Sequence, residues 1–283
     1  MKPAPFDYAR AESLDEAVRL LAAADGDARP LAGGQSLGPM LNLRIARPTL
    51  LVDLSPVAEL REVSEDEDGV TIGASVVHSA IEDGEVPDPT AGLMRRAASG
   101  IAYRAVRNRG TVGGSLAHAD PAGDWAPVMM ALGASLGIRG PEGGRSVEAD
   151  AFIADPLTTV LEPGEIVEAI RVPRLSSGAS WGHCKLCVKP GDFAESLAVV
   201  VIDPDRDHCR VALAGPTHAP ILLEEVAGTV ADANGWSDAL AGEIKDAAGR
   251  GIAAAGFADT GDRYAINVHS TVTVRAAREA LSR

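Results

Sequence analysis

Arg107-Asn108-Arg109-Gly110-Thr111-Val112-Gly113-Gly114-Ser115-Leu116-Ala117-His118-Ala119-Asp120-Pro121 decides the fold when it is read with Ala32-Gly33-Gly34-Gln35-Ser36. Each stretch carries a glycine pair and a nearby serine. Neither is a Walker-type G-x-x-x-x-G-K-S/T loop, and neither opens a helix with G-x-G-x-x-G. Adjacent glycines permit positive φ and remove the Cβ that would block a close approach. Successive N–H groups in such a loop can form a concave nest for phosphate oxygens. Two separated loops of this kind suit an extended ligand with a pyrophosphate at its middle. Arg44 and Arg47 flank the first, and Arg104, Arg107 and Arg109 the second.

The 283 residues predict about two domains at ~150 residues each. A hydrophobic content of 46% supplies a sizeable core. The net charge of −14 argues against nucleic acid and anionic membrane as partners. Met1-Lys2-Pro3-Ala4-Pro5 leads into polar sequence, so no signal peptide is expected. The apolar stretch 126–138 is too short to span a bilayer and contains Pro127, Gly133 and Gly137. Three cysteines make no disulfide framework, and an odd count fits a reducing compartment. A cytoplasmic protein without a transmembrane segment is the expectation.

The first part of the chain reads β-α-β. Ser13-Leu14-Asp15-Glu16 has the capping-box spacing, and Leu14, Ala17, Val18, Leu20 and Leu21 follow it with helical periodicity. The helix is expected to stop near Asp25-Gly26. Strands are expected over 29–32 and 50–54. From about residue 57 the pattern becomes α+β. It has a strand over 70–72, helices over 76–82 and 90–98, and a structureless run over 107–124. A helix over 125–132 comes next, then a hairpin turning at Gly140-Pro141-Glu142-Gly143-Gly144 and a strand over 165–172. Arg174-Leu175-Ser176-Ser177-Gly178 reads as a linker. Beyond it, strands over 197–202 and 209–214 turn at Asp203-Pro204-Asp205, and helices over 236–248 and 264–281 finish the chain.

With both loops in view, Arg29-Pro30-Leu31-Ala32-Gly33-Gly34-Gln35-Ser36-Leu37, followed by Leu43-Arg44 and Arg47-Pro48, resembles the FAD-binding medium subunit of molybdenum hydroxylases. This is the carbon monoxide dehydrogenase and xanthine dehydrogenase group. The run from Arg107 to Pro121, continued to Asp124, is similar to the second signature of that family. Lys185-Leu186, Lys189 and Gly191-Asp192-Phe193-Ala194 are similar to a third. The resemblance implies an α+β protein with a two-subdomain FAD-binding domain of the PCMH/VAO type, over residues 1–56 and 57–175. A small C-terminal α+β domain with an antiparallel sheet would follow over 179–283. It implies FAD on this chain, a large molybdopterin-binding partner subunit and a small partner carrying 2Fe–2S clusters. The assembly would be a dimer of heterotrimers, in which electrons from molybdenum pass through the clusters to FAD and on to an external acceptor.

The resemblance also implies site residues, each with a plainer rival. Ala32, Gly33, Gly34, Gln35, Ser36 and Leu37 would hold the pyrophosphate; the rival is a strand-to-helix turn. Thr111, Gly114, Ser115 and Ala117 would face its other side. Asp124, after Gly123, would accept ribose hydroxyls, or cap the helix that starts at Trp125. Ile101, Ala102 and Val106 would pack on the cofactor, Val167 would touch the flavin edge, and all four also read as core. Lys185 would stabilise the negative charge of the reduced flavin, or be a surface lysine on an edge strand. Phe193 would cover one ring face where many members carry tyrosine. Cys184 and Cys187 have C-x-x-C spacing, but on a strand they point to opposite faces and no second pair completes a metal site. His118 has no triad partners, so no catalytic residue and no metal ligand is expected. Two rivals to the electron-transfer subunit remain: a stand-alone FAD-dependent oxidoreductase of the same fold, and an assembly module without cofactor.

Overall fold

The computed structural model describes residues 2–24, 26–258 and 261–283. The chain opens with β1 (Asp7–Arg10), α1 (Leu14–Ala22), β2 (Ala28–Leu31), α2 (Leu37–Asn42) and β3 (Leu50–Asp53). These strands form a parallel sheet in the order β1-β3-β2. Ser13 caps α1, its hydroxyl accepting from Glu16 N at 3.2 Å. The Glu16 carboxylate reaches past the cap to Glu12 N at 2.9 Å, a variant of the reciprocal capping box. Leu14, Ala17, Val18 and Leu21 form the buried stripe of the helix. Of the expected stop at Asp25-Gly26, Asp25 lies outside the described residues; the helix itself ends at Ala22.

The next part contains β4 (Val63–Glu65), β5 (Gly69–Gly73), α3 (His78–Asp83), α4 (Leu93–Ser99), α5 (Arg104–Arg107), α6 (Val112–His118) and α7 (Trp125–Leu132). It continues through β6 (Ser135–Gly140), β7 (Gly143–Glu148), α8 (Ala149–Phe152), β8 (Ile153–Asp155), β9 (Thr158–Thr159) and β10 (Ile166–Pro173). An antiparallel sheet has the order β4-β5-β10-β6-β7. The run 107–124, expected to be structureless, contains α6. Thr111 starts that helix by accepting Gly114 N on its hydroxyl at 3.1 Å. The glycine pair that suggests a turn is helical because Gly113 lies against the backbone of Ala74, where a Cβ would come within 2.3 Å of Ala74 Cβ.

The chain ends with β11 (Ser180–Leu186), β12 (Ser196–Asp203), β13 (His208–Ala214), β14 (Ile221–Leu222), α9 (Glu224–Ala231), α10 (Asp238–Ala254) and α11 (Arg263–Leu281). The antiparallel sheet β11-β12-β13-β14 is buried on both faces. Leu197, Val199 and Val201 join the core that includes α7, whereas Ala198 and Val200 join the core built with α9, α10 and α11. Every residue of α7 is buried, as expected of a helix that is apolar all round. The stretch 174–178 is pinned, because Asp203 accepts Ser176 N at 2.9 Å and Ser176 Oγ at 2.5 Å. Helix α9 and strand β14 are additions to the elements expected from sequence. No helix among the described residues is long and apolar enough to cross a membrane.

Strand β11 joins the two halves. Trp181 donates through Nε1 to Ala91 O at 3.1 Å, beside α4. His183, on the same face, is buried and neither ring nitrogen has a hydrogen-bond partner among the described residues. Between these two, Gly182 faces α11, where a Cβ would lie 1.9 Å from Ala276 O. Gly182→Val is therefore expected to cost about 3 kcal/mol or more in stability, read from urea unfolding. Burial first, then the charges of Arg96 and Lys185, hold the His183 imidazole down to about 4. Its unfolded value is 6.5, so its contribution is complete above pH 6.5 and is lost as the pH falls towards 4. Between pH 7 and 4, His183→Leu should lose about 3 kcal/mol less than the parent chain; equal losses would exclude the assignment.

Candidate cofactor-binding cleft

The first glycine loop connects β2 to α2. Gly34 adopts φ +69°, the left-handed conformation that glycine tolerates best. Gly33 O accepts the Gln35 side-chain amide at 3.0 Å, and Gly34 O and Ser36 O accept Gly38 N and Met40 N. The N–H groups of Gly33, Gly34, Gln35, Ser36 and Leu37 have no acceptor among the described residues. Three carbonyls are occupied while five successive donors are free, so the loop surface is strongly electropositive without a cationic side chain.

The second loop is built differently. Val112 N and Gly113 N donate to Val76 O and Ala74 O, and Gly114 N and Ser115 N donate to the side chain and carbonyl of Thr111. Its four backbone donors over 112–115 are committed, which departs from the expectation that both loops form nests. It offers hydroxyls instead. Thr111 Oγ1 uses its lone pair on Gly114 N and keeps its proton, and the Ser115 hydroxyl has no partner among the described residues. Four of the five flanking arginines are engaged as well, Arg109 being exposed. Arg104 pairs with Asp83 and Glu82, Arg107 with Glu82, and Arg44 and Arg47 donate to backbone carbonyls.

The two loops line one cleft of about 610 Å³. A Cβ on Gly33 would lie 2.0 Å from Arg109 O, so the two backbones meet with no side chain between them. From the first loop the cleft receives Ala32, Gly33, Gly34, Gln35, Ser36 and Leu37, and from the second Thr111, Gly114, Ser115, Ala117, Gly123 and Asp124. Ile101, Ala102, Val106, Val167 and Phe193 line it too. Val167 sits where the pairing of β10 with β6 shifts register. Phe193 is exposed, and its loop presses Gly191 against Ala102, where a Cβ would lie 2.6 Å from Ala102 O.

Lys185 does not line the cleft; it stands behind Asp124. Its Nζ donates to the two Asp124 oxygens at 2.9 and 3.0 Å and to Gly100 O at 3.2 Å. The lysine side chain is 9% exposed and the aspartate side chain 6%, so Lys185 is not a surface lysine. Asp124 occupies the N-cap position of α7, yet its carboxylate makes no capping bond and turns to Lys185. Burial pushes the Asp124 carboxyl above its usual value, with Lys185 acting against that rise.

Sequence reasoning misses His78 at this cleft and reads Arg107 only as a basic residue flanking the loop. His78 lines it and accepts from Trp125 Nε1 on Nδ1 at 3.1 Å. Burial, then the Arg107 charge, lowers its pKa to about 4, which leaves a neutral ring at pH 7. Arg107 donates to Ile101 O at 2.8 Å and to Ala102 O at 3.0 Å while Glu82 holds its other edge. The partners lie 47 and 25 positions apart in sequence, and no local spacing announces them.

Residues 4–175 match the family model described as the FAD binding domain in molybdopterin dehydrogenase. The chain is 38% identical over 231 residues to the carbon monoxide dehydrogenase medium chain of Hydrogenophaga pseudoflava, covering 81% of this chain and 80% of that one. It is 31% identical to the 6-hydroxypseudooxynicotine dehydrogenase complex subunit alpha of Paenarthrobacter nicotinovorans, covering 100% of this chain and 97% of that one. A chain in the structure of reconstituted CO dehydrogenase from Oligotropha carboxidovorans superposes with a TM-score of 0.89 at 33% identity, and each chain is covered over 100% of its length. The protein belongs to the FAD-binding medium subunits of the molybdenum hydroxylases, the group that includes carbon monoxide dehydrogenase and xanthine dehydrogenase.

Proposed function

We propose that the chain holds FAD in this cleft and works as the electron-transfer subunit of a heteromeric molybdenum hydroxylase. The observation that carries the reading is the run of N–H groups over 33–37 without an acceptor among the described residues, on a cleft that Thr111 and Ser115 also line. The donor set fits the cofactor. N–H groups from the first loop suit the pyrophosphate, with the hydroxyls of Ser36, Thr111 and Ser115 beside it. Asp124 suits ribose hydroxyls, and Ile101, Val106 and Val167 offer apolar surface to a flat ring. Bound FAD would supply a two-electron store that can be filled one electron at a time and emptied to an acceptor. Lys185 holds the Asp124 carboxylate in one orientation, and Phe193 stands where it can cover the ring and restrict access.

The partners in this reading are a large molybdopterin-binding subunit and a small subunit with 2Fe–2S clusters, assembled as a dimer of heterotrimers in the cytoplasm. Substrate selection belongs to the molybdenum subunit. Relatives whose names specify carbon monoxide and 6-hydroxypseudooxynicotine support this division, since both align with this chain at 31–38% identity. Visible absorbance, iron and molybdenum content and subunit composition of the natively purified protein test it. Flavin with both metals and two further chains is expected; flavin without metals or partners would favour a stand-alone flavoenzyme.

The loop assignment has its own test. Gly34→Val forces a β-branched residue into φ +69° and should weaken FAD binding about tenfold or more while the fold persists. Gly113→Val should instead destabilise the chain, because its Cβ would collide with Ala74. FAD retention and melting temperature, measured on both variants, separate the two roles. Full FAD retention in Gly34→Val would refute the nest.

A further inference from the structure

Three consecutive carbonyl oxygens beside the cleft are held by two cations arriving from different elements. Gly100 O accepts Lys185 Nζ at 3.2 Å, Ile101 O accepts Arg107 Nη1 at 2.8 Å, and Ala102 O accepts the same nitrogen at 3.0 Å. The guanidinium is itself fixed. Glu82 accepts Nε at 2.7 Å and Nη2 at 3.0 Å, and the arginine side chain is 13% exposed. Ala102 is held at φ +41°, a strained conformation for a residue with a Cβ, so something must enforce it.

A trans peptide is planar, and its C=O and N–H point in opposite directions. Anchoring Ile101 O on Arg107 therefore aims Ala102 N–H away from the guanidinium. That N–H, like the one on Tyr103, has no acceptor among the described residues, and Ala102 lines the cleft. A cation on the carbonyl also polarises the peptide and strengthens its N–H as a donor. The segment touches the loop that carries Phe193, whereas the free N–H groups of the nest lie on the first glycine loop.

We propose that Arg107, oriented by Glu82, is a positioning residue that fixes and polarises the peptide between Ile101 and Ala102 as a hydrogen-bond donor to the isoalloxazine of bound FAD. Lys185 braces the same segment from β11. The inference rests on the FAD reading of the cleft. A strengthened donor favours the more electron-rich, reduced ring, so the clamp raises the flavin midpoint potential.

The test uses the complex as purified, with Arg107→Met, Arg107→Lys and Gly34→Val prepared in parallel. Arg107→Met should bind FAD about tenfold more weakly. When saturated with FAD it should show shifted flavin absorption bands and a more negative midpoint potential, and Arg107→Lys should recover part of both. A saturated Arg107→Met with parental bands and potential overturns the proposal. If Arg107→Met does not assemble, Glu82→Gln decides. There the arginine remains but loses its charged anchor, and a smaller shift in the same direction supports the clamp while an unchanged potential overturns it. Full FAD retention in Gly34→Val would instead refute the cleft reading, and the clamp with it.

Discussion

Backbone lies directly on backbone where Gly33 meets the Arg109 carbonyl, and the cleft depends on that contact. Gly110 continues the stack, since the place of its Cβ is taken by the His78 ring, with Nε2 at 2.8 Å. Gly113 completes it against Ala74. Gly33 thus removes a side chain between the first loop and Arg109, while Gly110 and Gly113 let the second loop sit close on His78 and Ala74. A side chain at Gly33 would move the nest on 33–37 away from the hydroxyls of Thr111 and Ser115. A single ligand could then no longer meet both walls.

The charges follow from the same economy. A chain with net charge −14 attracts no anion at long range, so an anionic ligand must be recognised by short-range donors. Two arginines near the second loop brace its walls. Arg104 and Arg107 cross to α3 through Glu82 and Asp83, and Arg107 also fixes Ile101 and Ala102. Peptide donors held this way are oriented before any ligand arrives, which lowers the ordering cost of binding.

Much of this was legible in the sequence, for identifiable reasons. Capping of α1 by Ser13, the hairpin β6-β7 and the turn between β12 and β13 rest on local chemistry that a short window contains. The two glycine loops were legible as ligand-facing because adjacent glycines are uncommon without a steric reason. Their division of labour was not. Whether a glycine serves a ligand or a neighbouring strand depends on what fills the space of its Cβ, and Ala74 lies 39 positions from Gly113. The α6 helix was hidden for the same reason. Lys185 reads in the sequence as a residue beside the flavin, but its partner, 61 positions earlier, sets it behind Asp124. His78 with Trp125 and Arg107 with Glu82 gave no sign at all, because side-chain pairs across a fold leave no periodicity.

The pairing of Lys185 with Asp124 has a consequence for what counts as a unit of this protein. The segment that matches the family model ends at residue 175, so it contains the aspartate and omits its counter-ion. Were Lys185 replaced by a neutral residue in the full chain, the buried carboxyl would lose the cation that opposes its neutralisation. Such a group relieves itself by taking up a proton, and an acceptor facing the cleft becomes a donor. The boundary of the matched FAD-binding domain and the boundary of electrical completeness therefore fall at different places in the chain, with β11 carrying the difference.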